Sequence, residues 1–124
     1  MNIRFVYTAL QVRDLDKTVK FYREVLGMTV VVRKPVKETD GEMCVLTSGR
    51  NQLELNWYKN AAVRKGNTLD HLAFEVRPFS AFQRLITTLE NQGTKIHEYL
   101  ETDVWDRFFI EDPDGNWVEI YAKK

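Results

Sequence analysis

Four side chains able to hold a cation or move a proton stand at matching places in a repeated sequence. Tyr7-Thr-Ala-Leu-Gln-Val12 aligns with His71-Leu-Ala-Phe-Glu-Val76, and Asn51-Gln-Leu-Glu-Leu55 aligns with Asn116-Trp-Val-Glu-Ile120. Tyr7 precedes Glu54 by 47 residues and His71 precedes Glu119 by 48. Imidazole and carboxylate bind divalent ions and carry protons near neutral pH. Taken singly, each residue has a plainer explanation. A lone strand histidine is most often hydrogen-bonded scaffolding, and a glutamate between apolar neighbours is most often the outward side of an alternating strand. Two glutamates at equivalent positions beside a histidine resist that explanation, because a buried carboxylate needs a counter-charge. The pattern points to a pseudo-symmetric site. Tyr7 reads most simply as an aromatic filling space beside it.

Each half reads as strand, helix and three further strands, an α+β arrangement of two βαβββ modules at about 1–60 and 68–124. In the first, Ile3 to Val12 is a strand, and Asp14 or Asp16 caps a helix carrying Val19, Tyr22, Val25 and Leu26 at helical spacing. Gly27 is expected just past its end. Val30 to Val32, Met43 to Leu46 and Leu53 to Trp57 follow as strands, with turns at Lys37 to Gly41 and Ser48 to Asn51. In the second, Leu69 to Val76 is a strand, and Ser80-Ala-Phe-Gln83 has the form of a capping box. Phe82, Leu85, Ile86 and Leu89 give the helix its apolar face, and Gly93 falls past its end. Lys95 to Glu98, Trp105 to Ile110 and Trp117 to Ala122 are the remaining strands, the last two joined by an Asp112-Pro-Asp-Gly115 turn. The junction between halves lies near Lys59 to Thr68.

Alternation of side chains along strands then sorts the faces. Leu10, Val12, Phe74 and Val76 turn toward the helices, while Tyr7, Ala9, Gln11, His71, Ala73 and Glu75 share the opposite face. Glu54 and Glu119 oppose the apolar Leu53, Leu55, Val118 and Ile120. Sheet faces bearing these polar groups with no helix over them suit a cleft. Glu75 reads as a cleft-edge carboxylate. Trp57, Tyr58, Trp105, Trp117 and Tyr121 read as core or pocket wall. His97 receives no role, and the acidic Asp112–Gly115 turn reads as structural.

The chain's 124 residues suit a single domain, 1–124, and each half alone is too short to sustain a comfortable core. With 18 basic and 18 acidic residues the net charge is zero, which offers no field for nucleic acid or an anionic membrane. Arg33-Lys34 with Lys37, and Arg64-Lys65, read as solvated loops. Cys44, the lone cysteine, has no internal disulfide partner, and neither a spanning segment nor a signal-peptide core is present. A soluble cytoplasmic protein is expected. No HExxH, CxxC or glycine-rich phosphate loop occurs, which removes zinc-protease, dithiol and nucleotide readings.

Several segments together resemble the vicinal oxygen chelate superfamily and its glyoxalase I-like and bleomycin-resistance-like members. They are Val12-Arg-Asp-Leu-Asp16, Phe21-Tyr-Arg-Glu-Val-Leu-Gly-Met28, Leu53-Glu-Leu55, Asp70-His-Leu-Ala73, Glu111-Asp-Pro-Asp-Gly-Asn116 and Val118-Glu-Ile120. The resemblance spans nearly the whole chain. It implies the glyoxalase/bleomycin resistance/dioxygenase fold, with the βαβββ modules forming a partly open mixed β-barrel-like sheet. It also implies one divalent metal (Ni, Co, Zn, Mn or Fe) held by one residue from each of four equivalent positions. In glyoxalase I-like members those positions hold His or Gln, Glu, His and Glu; here they match Tyr7, Glu54, His71 and Glu119. Tyr7 departs from the pattern, since a phenol of reference pKa about 10 binds well only once the cation removes its proton. The implied site is therefore four-ligand, or three-ligand with water in place of Tyr7, or metal-free.

The activity this resemblance implies is a lactoylglutathione lyase-like 1,2-proton shift on a small α-hydroxycarbonyl compound or hemithioacetal. Glu119 matches the family's catalytic base, Glu54 is a second carboxylate ligand and partner in proton transfer, and His71 anchors the metal. A related epimerase is a neighbouring alternative. A metal-free protein sequestering a planar or apolar ligand, like the bleomycin-resistance branch, is the alternative from another class. A homodimer with a small-molecule substrate is implied, with the four positions meeting within one chain or across two.

Overall fold

The computed structural model describes residues 1–2, 5–60 and 69–124. The expected strand start at Ile3, the Arg64-Lys65 stretch and the Lys59–Thr68 junction beyond Asn60 lie outside the described residues. The chain divides into two compact units, Met1–Gly66 and Asn67–Lys124.

The first unit runs β1 (Thr8–Gln11), α1 (Leu15–Lys20), β2 (Thr29–Val36), β3 (Gly41–Ser48) and β4 (Asn51–Tyr58). The second runs β5 (Leu72–Glu75), α2 (Phe79–Asn91), β6 (His97–Glu101), β7 (Trp105–Glu111) and β8 (Trp117–Lys123). Both sheets are open and four-stranded, ordered β1-β4-β3-β2 and β5-β8-β7-β6. The first strand of each unit runs parallel to the last, and the other pairs are antiparallel. The expected βαβββ order therefore holds in each.

Local chemistry accounts for most helix ends. Asp14 is the N-cap of α1, its Oδ1 accepting from the Lys17 N–H at 3.0 Å. The helix then widens into a π-helical turn over Phe21–Val25, where an ordinary α-helix was expected, and Gly27 closes it at φ +70°. In α2 the expected Ser80 box does not form. Pro78 is the cap residue and the helix starts at Phe79, which places Ser80 inside the first turn with no side-chain cap bond at Pro78. Its fixed φ explains why proline suits a helix start. At the far end the Thr94 N–H donates to the Leu89 carbonyl at 2.9 Å and the Gly93 N–H to that of Glu90 at 3.0 Å. These are the two bonds of a Schellman closure around a left-handed Gly93.

Strand alternation sets what is buried. Leu10, Val12, Leu53, Leu55, Cys44 and Leu46 form the apolar side of the first sheet, against which α1 and its extension lay Leu15, Val19 and the fully buried Tyr22. In the second unit Val118, Ile120, Ala122, Phe108 and Ile110 face α2, which contributes Phe82 and Leu89. Phe82 stacks on Phe79 at 5.7 Å and tilts against Phe108 at 5.3 Å. Each such side chain, fully withdrawn from water, contributes about 1.5–3 kcal/mol. None of the described helices is long and apolar enough to cross a membrane.

Arg33 and Lys34, read as a basic loop, belong instead to β2, which continues through Pro35 to Val36. The Arg33 guanidinium forks between Glu42 on β3 (2.7 Å) and Asp16 on α1 (2.6 Å), and those hydrogen bonds, Glu42 first, hold it firmly charged. Val31 on this edge strand is well exposed, and the register slips between Val30 and Val32. A matching irregularity between His97 and Leu100 marks β6, the outer strand of the second sheet.

Gly41 opens β3 under a tight constraint: a Cβ there would sit 2.1 Å from the Trp57 carbonyl oxygen. Gly41→Ala is expected to destabilise the protein by about 1–3 kcal/mol through this overpacking. Urea unfolding monitored by circular dichroism would read it as a lower midpoint, and an unchanged midpoint would mean that the strand end yields freely.

Candidate functional site

The registers place the repeated residues in equivalent positions. Ala9 of β1 is opposite Glu54 of β4, and Ala73 of β5 is opposite Glu119 of β8. Tyr7 and His71 each lie two residues before those alanines, immediately ahead of their strands. By the period of two, each shares a face with its glutamate.

In the second unit this produces contact. His71 Nε2 lies 2.9 Å from Glu119 Oε2, and His71 Nδ1 lies 2.6 Å from Asp70 Oδ2. The ring is set edge-on against Phe109, centroids 5.3 Å apart, which fixes its plane. A carboxylate on one ring nitrogen selects the tautomer and aims the other nitrogen, as in carboxylate–histidine–metal arrangements. In the first unit no hydrogen bond joins Tyr7 to Glu54 among the described residues. Tyr7 is 46% exposed, and Glu54 Oε2 accepts from Asn56 Nδ2 at 3.0 Å.

The donor set decides how a metal would fit. His71 Nε2 and Glu119 Oε2, 2.9 Å apart, are in direct contact, and both are donor types that a divalent cation would take if it replaced the proton they share. No three His, Cys, Asp or Glu side chains among the described residues gather tightly enough to hold an ion by themselves. The second unit thus supplies a half-site of two donors with an orienting carboxylate behind it.

Around this half-site the same face of the sheet carries Trp117, Tyr121 and Lys123 from β8 and Trp105, Arg107, Phe109 and Glu111 from β7, by direct pairing. Trp105, Glu119, Tyr121 and Lys123 line an open cleft of about 210 Å³. Glu75, expected at a cleft edge, is tied to Arg77 at 2.7 Å, and that hydrogen bond holds its carboxyl below the usual carboxylate range. His97 stacks on Trp117 at 4.9 Å with its Nε2 3.5 Å from Glu111. The Asp112 turn is structural as expected: the buried carboxylate accepts from the N–H groups of Asp114 and Asn116 and from the Asn116 amide, at 2.8–2.9 Å. Asp70 and Arg107 were not singled out from the sequence. The adjacency Asp70-His71 was the available signal for the first. Arg107, alternating within an aromatic strand, gave none.

The chain is similar to known proteins along nearly its whole length. A relative from Bacillus subtilis (strain 168), named as a probable trivalent organoarsenical cleaving enzyme, is 32% identical over 127 residues, spanning 98% of this chain and 82% of its own length. A probable lactoylglutathione lyase from Vibrio parahaemolyticus is 29% identical over 129 residues, covering 99% of this chain and 93% of its own. Among solved structures, the trypanothione-dependent glyoxalase I of Leishmania major superposes with a TM-score of 0.80 at 26% identity, covering 98% of this chain and 87% of that one. The family model for the glyoxalase/bleomycin resistance protein/dioxygenase superfamily matches residues 4–120. Two mixed four-stranded sheets, two helices and a match along nearly the whole sequence make the chain a member of that vicinal oxygen chelate superfamily.

Proposed function

We propose that this protein is a metal-dependent lyase of the glyoxalase I type, catalysing a 1,2-proton shift on a small α-hydroxycarbonyl compound such as a hemithioacetal. The observation that carries this reading is the Asp70–His71–Glu119 chain on an open sheet face beside an aromatic cleft. Relatives named as lactoylglutathione lyases, of similar length, support it.

His71 and Glu119 would hold the metal, with Glu54 and Tyr7, from the same chain or a partner copy, as the other donors. Water would stand in for Tyr7 wherever its phenol kept its proton. When bound, the cation supplies positive charge where oxygen becomes negative during the shift. The chain's own residues do the rest. Glu119 would take the proton from the carbon bearing the hydroxyl and return it to the adjacent carbonyl carbon, while the hydroxyl proton passes to the former carbonyl oxygen with Glu54 as partner in the transfer. Asp70 keeps His71 in place throughout. Trp105 and Tyr121 lower the local polarity, which strengthens charge stabilisation. The protein acts as a homodimer in this reading, measurable by sedimentation.

The organoarsenical chemistry in the Bacillus relative's name fits this chain less well. Trivalent arsenic takes soft thiolate ligands, and the one cysteine, Cys44, is fully buried, with burial pushing its thiol pKa up.

Equilibration of untagged protein with nickel, cobalt, zinc, manganese or iron, followed by elemental analysis, tests the proposal. About one equivalent of one metal per subunit, with turnover of the methylglyoxal hemithioacetal, is expected; no retained metal removes the mechanism. Asp70→Asn is expected to weaken metal affinity by about 2–5-fold, since the orienting carboxylate it removes is 93% exposed and screened by water. Unchanged affinity in a metal titration would show that Phe109 alone suffices to orient the ring.

A further inference from the structure

Two cations, Arg107 and Lys123, share the face that carries His71 and Glu119, and Arg107 is the one with a buried, unmatched nitrogen among the described residues. Arg107 lies on β7, opposite Tyr121 and one pair along from Phe109–Glu119. Its guanidinium sits over the Phe109 ring, 4.9 Å from the centroid, and its Nη1 is buried with no hydrogen-bond partner. Two acidic groups on this face are engaged elsewhere, Glu119 with His71 at 2.9 Å and Glu75 with Arg77 at 2.7 Å, while Glu111 stands 3.5 Å from His97 Nε2 without a hydrogen bond. A guanidinium has five donors in a planar fork that matches a carboxylate, and a buried donor left unmatched is unfavourable. Stacking on Phe109 holds the plane of the fork but satisfies none of its N–H groups. Trp105 and Tyr121, which line the adjoining cleft, flank Arg107 along its own strand and across the ladder.

We propose that Arg107 is a specificity residue that receives a carboxylate of the bound molecule, so that the cleft selects small anionic ligands, with an aromatic or apolar body against Trp105 and Tyr121. As a statement about substrate it rests on the proposed lyase reading. Anion binding itself requires neither metal nor turnover, and the two are separated by testing binding on metal-free protein.

The probes are benzoate and its neutral isostere benzamide, titrated by calorimetry and by tryptophan fluorescence. Benzoate is expected to bind the wild-type chain at least tenfold more tightly than benzamide. Arg107→Leu is expected to remove that preference, and Arg107→Lys to retain part of it. Arg107→Gln, which keeps hydrogen-bonding capacity without charge, gives the same reading as the leucine variant should that one fold poorly. Equal binding of both probes, or binding of neither, to the wild-type chain overturns the assignment. So does a folded leucine or glutamine variant that still prefers benzoate; if Lys123→Met then abolishes the preference, the anion belongs to Lys123. A lyase assay without turnover leaves the benzoate result standing on its own.

Discussion

Glu119→Gln is expected to lower turnover of the hemithioacetal by about 10²–10⁴-fold, the usual contribution of a positioned general base. The amide matches the carboxylate in size, so the β8 register and the burial of Val118 and Ile120 on either side are kept. It cannot take up a proton as a carboxylate does, and it offers His71 Nε2 a neutral partner in place of the charged one at 2.9 Å. A thermal melt close to wild type, together with kcat reduced by at least two orders of magnitude, is the expected pair of results. Wild-type turnover in a folded variant would take Glu119 out of the chemistry and leave it a partner of His71 only.

The largest effect on stability is expected at Phe82, which joins helix to sheet in the second unit. It is fully buried, stacked on Phe79 and tilted against Phe108. Phe82→Ala removes a ring whose surroundings are fixed by β7 and β8, and a cost of about 3–5 kcal/mol follows from lost burial and the cavity left behind. Phe82→Leu refills much of that space and should cost clearly less. Urea unfolding of both variants measures the difference. A loss below about 1 kcal/mol for the alanine variant would mean that α2 settles onto the sheet and closes the gap.

The internal repeat made the order of elements readable in advance, together with the equivalence of Tyr7 to His71 and of Glu54 to Glu119, because alternation along a strand is set by local sequence. Boundaries were less readable where tertiary position overrides composition. Arg33-Lys34 reads as a solvated loop, yet β2 runs on through it and Pro35, because an edge strand tolerates charge and proline where one side of its ladder is unpaired. Ser80 looked like a helix cap, but Pro78 starts the helix two residues sooner. The strand expected at Lys95 to Glu98 begins at His97 instead and runs to Glu101, with a register slip that no residue type announces. The site followed the same division. The spacing of Tyr7, Glu54, His71 and Glu119 revealed equivalence, whereas the hydrogen bond that Asp70 accepts from His71 and the unmatched Arg107 nitrogen depend on side-chain direction.

The register slips in β2 and β6 bear on how the protein behaves when crowded. Each falls on one of the two edge strands of its sheet, where a row of backbone donors and acceptors would otherwise offer a template for another chain. A bulge bends such a row out of line, and Pro35 removes one donor from β2 altogether. Strand-by-strand addition leading to fibrils is thereby discouraged at the β2 and β6 borders, two of the four edges of these sheets. Concentrated solutions should stay free of cross-β material even with Val31 and Val32 facing water.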